Sequence, residues 1–325
     1  VIRVVEGVMS IRKDHYKKHG IRWDKQYWDA IAARMALFMF DMKFLPPGRG
    51  LWAMGTDYVF ERGSHALNNC GFIEVEDDLG QAAYWLMDSL MLGVGVGFST
   101  NNARLRKALK PGPNRTVFSI PDSREGWAQS VQMLIDSYFT NDDAAIVEFD
   151  YSQIRPAGSP IRGFGGTASG PEPLRQLHER IRRFLDDYAD EKISSTRLIV
   201  DVMNAIGACV VAGNVRRSAE LATGSIYDKE FLNLKNYELY PERAEIGWMS
   251  NNSVVLRESD DFLLLPTIAD RIRDNGEPGV INLMNVQKYG RFKEKWPDKA
   301  TGFNPCAEIP LESYELCNLA EVFPT

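Results

Sequence analysis

Cysteine and histidine are both scarce, with four of each in 325 residues. Cys70, Cys209, Cys306 and Cys317 form no Cys-x-x-Cys pair and have no histidines at matching spacing. That argues against a zinc motif and against a secreted disulfide framework, so no metal ligand is assigned. Positive charge is also in short supply, 38 Lys and Arg against 44 Asp and Glu for a net of −6. A broad nucleic-acid or anionic-membrane footprint is therefore not expected, and any phosphate recognition must be local. No apolar run reaches transmembrane length and the first residues lack a signal-peptide hydrophobic region, which makes a cytoplasmic protein the default. Repeats, low-complexity tracts and obvious linkers are missing too, so one large domain with an ordinary core is expected. The sequence runs from Val1 to Thr325 and stops just after its richest motif, and so reads as part of something longer.

The pattern that is present is mixed α and β. Residues 24–44 read as a helix: Asp24 is an N-cap candidate, Trp28, Ile31, Met35 and Phe38 recur at helical spacing, and Pro46-Pro47-Gly48 stops it. A second helix, about 78–92, leads into Gly93-Val94-Gly95-Val96-Gly97-Phe98. This alternation predicts a buried strand whose glycine side admits another backbone or a ligand at close range. Its spacing is not the dinucleotide fingerprint. Residues 106–157 are polar and turn-rich, with one amphipathic helix carrying Trp127, Val131, Leu134 and Tyr138 on a stripe, and they read as an insertion. A flexible loop at 158–166, an amphipathic helix at about 173–192 and an apolar helix at 195–211 follow.

Chemistry concentrates in Asn304-Pro305-Cys306-Ala307-Glu308-Ile309-Pro310, followed by Cys317. In extended backbone Asn304, Cys306 and Glu308 would share a face, with roughly 6 to 7 Å between successive side chains, the reach needed to address one small ring. Pro305 and Pro310 each remove a backbone donor and favour an exposed, loop-like extended piece over a central strand. A bare Cys-x-Glu is more often a small buried hydrophobe beside a solvated acid. Here a second thiol follows at Cys317, and Asn68-Asn69-Cys70-Gly71-Phe72 supplies a third. Three thiols and a carboxylate suit redox or radical work better than hydrolysis, since no histidine lies near them in sequence to serve as base. Cys209 sits in an apolar helix and reads as an inert core thiol.

These residues resemble the catalytic subunit of ribonucleotide reductases. The likeness rests on Asn304-x-Cys306-x-Glu308 with Cys317 after it, on Asn68-Asn69-Cys70, on Pro46 to Thr56, on Gly158-Ser159-Pro160-Ile161-Arg162-Gly163, and on Val211 to Glu220. It is strongest to the adenosylcobalamin-dependent, monomeric ribonucleoside-triphosphate reductases, which carry an insertion where 106–157 stands here. The resemblance implies a ten-stranded α/β barrel, present in part, with a central finger loop bearing Asn304, Cys306 and Glu308. It implies that Cys306 becomes a thiyl radical that removes the ribose 3′ hydrogen, that Glu308 takes the 3′-hydroxyl proton, and that Asn304 hydrogen-bonds the sugar hydroxyls. It also implies that Cys70 and Cys317 supply two reducing equivalents and end as a disulfide, for which their Cα atoms must come within about 7 Å. Adenosylcobalamin is the implied cofactor, and its contacts are unassigned. A dry pocket around the radical is expected.

For an effector nucleotide the resemblance points to Asp77 and Arg162, and to a loop at Gly213, Asn214, Arg216 and Arg217 that passes base identity to the substrate. Each of these charges could equally be an ordinary solvated one. The 106–157 insertion would complete the effector site in place of a second subunit. The implied partners are a ribonucleoside triphosphate, a deoxynucleoside triphosphate effector and a thioredoxin-like reductant. Two other readings stand beside this one: the large subunit of a metal-cofactor ribonucleotide reductase, and a nucleotide-binding module without catalysis.

Overall fold

The computed structural model describes residues 1–140, 144–161, 166–212 and 218–324, the side chain of Arg62 excepted. They fold as two compact units, Val1–Asn69 with Leu316–Thr325, and Cys70–Glu315.

In the first unit, α1 (Ile2–Lys18) and α2 (Lys25–Phe40) pack around buried Val4, Val5 and Met39. The Asp24 carboxylate accepts the Tyr27 N–H at 3.1 Å, capping α2 as its position in the sequence predicts. Gly7 and Gly55 bring two backbones together, because a Cβ on Gly7 would lie 2.5 Å from the Gly55 nitrogen. A short strand β1 (Phe44–Leu45), which pairs antiparallel with Glu321–Val322, and the helices α3 (Gly48–Ala53) and α4 (Asp57–Arg62) complete this part of the unit. Here too the Asn69 N–H donates to the Cys317 carbonyl at 2.9 Å.

The second unit is α/β. Its strands and helices run β2 (Cys70–Glu74), α5 (Leu79–Met91), β3 (Gly95–Ser99), β4 (Gly112–Ser119), α6 (Arg124–Phe139), β5 (Ala145–Asp150), α7 (Glu172–Ala189), α8 (Ser195–Val211) and β6 (Glu220–Ser225). They continue with α9 (Lys229–Asn233), β7 (Ser250–Leu256), α10 (Leu265–Asn275), β8 (Gly279–Asn282), α11 (Leu283–Tyr289), β9 (Gly302–Phe303) and β10 (Pro310–Leu311). Strands β2, β3, β6, β7 and β8 lie side by side, all parallel. Parallel neighbours need crossover connections, and here helices supply them. The class is thus α/β as expected, while among the described residues the parallel strands form an open five-stranded array and no closed ten-stranded barrel.

Strand periodicity sorts the two faces of this array. Ala222, Val254 and Leu256 join the main core with α5, α6, α7 and α8. Their neighbours Leu221 and Val255 turn the other way, onto Phe303 and Leu283. The apolar stripe of α6 is covered within the unit: Val131, Leu134 and Tyr138 are buried, and Trp127 is half-buried against the same core. Residues 106–157 hold more than the one expected helix, since β4 and β5 flank α6 as a parallel pair. The strands escaped the pattern because β4 is solvated almost throughout and shows no apolar alternation.

Candidate active site

Strands β9 and β10 pair antiparallel, Phe303 opposite Pro310 and Gly302 opposite Leu311, and the chain between them is a finger-like hairpin loop. The loop is not the extended piece the alternation suggested. The Ala307 N–H donates to the Asn304 carbonyl at 2.9 Å, Asn304 N–H donates to the Ile309 carbonyl at 3.2 Å, and Ala307 takes a positive φ of 64°. A tight turn therefore replaces the strand, because these backbone groups find their partners inside the loop rather than on a neighbouring strand. Asn304 is buried at 1% exposure, whereas Cys306 and Glu308 are both exposed. The exposure of Cys306 departs from the expected dry pocket: no described side chain closes over the tip strongly enough to bury it.

The finger lies on the sheet face opposite α5, α6, α7 and α8, and two glycines let it in. A Cβ on Gly97 would overlap the Phe303 carbonyl oxygen, and one on Gly95 would lie 2.9 Å from Pro305 Cγ. Gly302 serves the same end from the finger side, since a Cβ there would overlap the Phe72 ring. The close approach read from Gly93–Phe98 is thus to the backbone of the finger. Since Phe303 meets Gly97 and Pro305 meets Gly95, the loop runs back along β3 and its tip reaches the N-terminal ends of β2 and β3.

Cys70, the first residue of β2, lies there. The Asn304 amide nitrogen is 3.8 Å from its sulfur, and the Asn304 side-chain oxygen accepts the Ile309 N–H at 2.9 Å. Burial, then the Glu308 carboxylate and Cys70, push the Cys306 thiol up. Cys317 is buried and belongs to the first unit. Cys209 is buried in α8, and burial pushes its thiol up to about 12, as an inert core cysteine requires.

Asp77 lines a cleft of about 820 Å³ at the other end of β2, together with Asp78, Gly80, Arg104, Arg106, Asp136 and Phe139. Two of its walls come from stretches that a single family motif does not mark: the arginines follow β3, and Asp136 stands on α6. Burial, with Asp78 nearby, pushes Asp136 up to about 6, and Gly80 makes room for its carboxyl, which a Cβ would overlap. Arg104, Arg106 and Asp136 gave no signal in the sequence, because the arginines stand in a short basic run, Arg104 to Lys110, and Asp136 is one polar residue of the amphipathic α6. Arg162, Gly213, Asn214, Arg216 and Arg217 lie outside the described residues. Glu220, which ends the last of the matching motifs, is buried: its carboxyl accepts hydrogen bonds from Asn204 Nδ2 at 3.0 Å and Ser218 Oγ at 3.1 Å. Burial pushes it up to about 8. Among the described residues no helix is long and apolar enough to cross a membrane.

The chain is similar to known proteins over its whole length. Residues 95–185 match the family model "B12-dependent ribonucleotide reductase, insertion domain", and residues 1–56 match "Ribonucleotide reductase alpha domain". An adenosylcobalamin-dependent ribonucleoside-triphosphate reductase of Euglena gracilis is 46% identical over all of this chain and 45% of its own length. A Dictyostelium discoideum protein described as a "Probable adenosylcobalamin-dependent ribonucleoside-triphosphate reductase" is 44% identical with the same coverage. A crystal structure of a B12-dependent (class II) ribonucleotide reductase superposes with a TM-score of 0.82 at 32% identity, covering 99% of this chain and 52% of that one. The chain spans about half the length of the curated relatives it matches. Over its whole length the chain is thus similar to one part of the adenosylcobalamin-dependent ribonucleoside-triphosphate reductases.

Proposed function

We propose that this chain forms the part of a ribonucleoside-triphosphate reductase that holds the radical cysteine and the effector nucleotide. The observation that carries the reading is the finger hairpin, which sets Cys306 at an exposed tip and hydrogen-bonds Asn304 toward Cys70. In this reading the Cys306 thiyl radical removes the ribose 3′ hydrogen, Glu308 accepts the 3′-hydroxyl proton, and Asn304 donates to the sugar hydroxyls. The 2′-hydroxyl leaves as water, and Cys70 and Cys317 give up two electrons and two protons as they join in a disulfide. Asn69, which precedes Cys70 in the chain, already hydrogen-bonds the Cys317 backbone within the first unit.

Adenosylcobalamin would supply the homolytic step that makes the thiyl radical. An exposed Sγ at a loop apex fits a bulky group that must reach it, and no described residue is assigned to hold that group. The names of the relatives and the insertion-domain match favour this cofactor over the two-subunit, metal-cofactor type. The ten-stranded barrel of the family and a cytoplasmic location are part of the same proposal, as is a thioredoxin-like reductant.

The effector is a deoxynucleoside triphosphate in the Asp77 cleft, with the 106–157 insertion supplying the α6 wall. Arg162 and the loop of Gly213, Asn214, Arg216 and Arg217 would hold its phosphates and report its base. Because the α6 stripe is covered within its own unit, the protein is proposed to act as a monomer. The decisive test is Cys306→Ala in an enzyme of full family length. Deoxynucleotide formation should fall below detection while nucleotide affinity stays within about twofold, as expected when a reacting group and not a binding group is lost. Turnover by the variant would overturn the radical assignment, and nucleotide binding by an unaltered enzyme that never turns over would favour a purely regulatory module.

A further inference from the structure

The amide of Asn304 can be oriented without ambiguity. A backbone N–H only donates, so the atom that faces the Ile309 N–H at 2.9 Å is the side-chain oxygen. The amide nitrogen then lies on the other side, 3.8 Å from Cys70 Sγ. An amide nitrogen only donates, so the sulfur is the acceptor. The backbone of Asn304 is clamped as well, its N–H on the Ile309 carbonyl and its carbonyl on the Ala307 N–H. At 1% exposure the side chain has no room to rotate without undoing the turn. The donor is thus aimed at the sulfur before any ligand arrives.

We propose that Asn304 is a positioning residue for Cys70, its side-chain oxygen locking the finger turn while its N–H donates to the Cys70 sulfur and favours the thiolate. A donor to the charged form makes a thiol more acidic. Cys306 and Glu308 stand at the same end of β2, where Glu308 and Cys70 raise the Cys306 thiol, and a negative charge on either neighbour would act on Cys70 in the opposite sense to the Asn304 donor. Asn304 is the counterweight that keeps Cys70 ionisable beside them. This deepens the reading above for one of its thiols, yet it is tested apart from it, because thiol alkylation needs neither substrate nor cofactor.

The test compares the pH profile of Cys70 alkylation by iodoacetamide, followed by mass spectrometry, in the unaltered chain, in Asn304→Asp and in Asn304→Ala. The Asp variant keeps the oxygen that the Ile309 N–H needs and exchanges only the donor. Its Cys70 midpoint should rise by about one pH unit or more, so that alkylation at neutral pH slows by about tenfold. The Ala variant should shift the same way by less. Buried Cys209 stays unreactive if the fold is kept, which identifies an unfolded variant. In the unaltered chain the Asn304 side-chain amide resonance should titrate with the Cys70 midpoint, a readout that needs no substitution. Identical Cys70 profiles in folded variants, or an Asn304 amide that does not follow Cys70, would overturn the proposal, whether or not the full enzyme reduces nucleotides.

Discussion

At the scale of single residues, Glu220 has the most to say about stability. Its carboxyl is enclosed with only neutral hydrogen-bond partners, Asn204 and Ser218, and a Cβ on Gly207 would overlap its Oε1. Burial raises its folded pKa from an ordinary 4.5 to about 8. An acid whose pKa is raised binds its proton more tightly when folded. Its contribution is therefore intact below the unfolded value and is lost progressively as pH climbs toward 8. Glu220→Gln cannot ionise, so it should unfold at nearly the same temperature as the unaltered chain in mild acid and at a higher one in mild alkali. The gap should correspond to a few kcal/mol, since each tenfold change in proton affinity between the folded and unfolded chain is worth about 1.4 kcal/mol. Thermal melts at the two pH values check it, and a gap that does not widen with pH would mean that Glu220 is ionised in the fold. The sequence marked this acid only as the last letter of a motif. Its enclosure depends on where α8 and β6 meet, which no local pattern encodes.

Among the elements, the pairing of β3 with the finger is governed by volume. The alternation Gly95-Val96-Gly97-Phe98 announced both the strand and the close approach of another backbone or a ligand, and it is the finger backbone that fills the glycine side. Gly97→Ala should destabilise the chain by about 1–3 kcal/mol, the usual cost of overpacking. Gly112→Ala on β4 is a fitting control, since its added Cβ would meet nothing nearer than the Ala144 carbonyl oxygen at 3.7 Å. Chemical denaturation of both variants decides the matter, and equal midpoints would mean that the finger yields freely. The helices were legible for equally local reasons: Asp24 caps α2 and Asp78 caps α5 where the sequence placed their starts, and α8 runs over the expected 195–211. The finger turn was not legible, because the same three side chains at alternate positions fit a strand until the hydrogen bonds of Asn304 are seen.

For the whole molecule, the class and the resemblance to ribonucleotide reductases could be read from motifs, whereas the Asp77 cleft could not. Its walls come from three separated stretches, around Asp77, after β3 and on α6, and only folding brings Arg104, Arg106 and Asp136 to Asp77. If a deoxynucleoside triphosphate binds there, a concentration about a hundredfold above its dissociation constant stabilises the chain by about 2.7 kcal/mol. The unfolding temperature of the unaltered chain should rise accordingly, that of Asp77→Asn should rise much less, and sedimentation should show one monomeric species throughout. An equal rise in both proteins would remove Asp77 from the site, and a dimer would mean that the effector needs a second copy.

Strand β2 has one further consequence. It begins at Cys70 and ends at Glu74, three residues short of Asp77, so the thiol and the cleft stand at opposite ends of a single rod. At about 3.3 Å per residue the two are separated by roughly 20 Å, a span that a strand flanked by a paired neighbour cannot stretch or shorten. Open parallel sheets ordinarily receive their ligands at the carboxyl ends of the strands. The cleft obeys that habit and the thiol inverts it. Any message carried by the strand from one to the other would therefore move it as a whole, against the finger that is packed on the glycines of its neighbour β3.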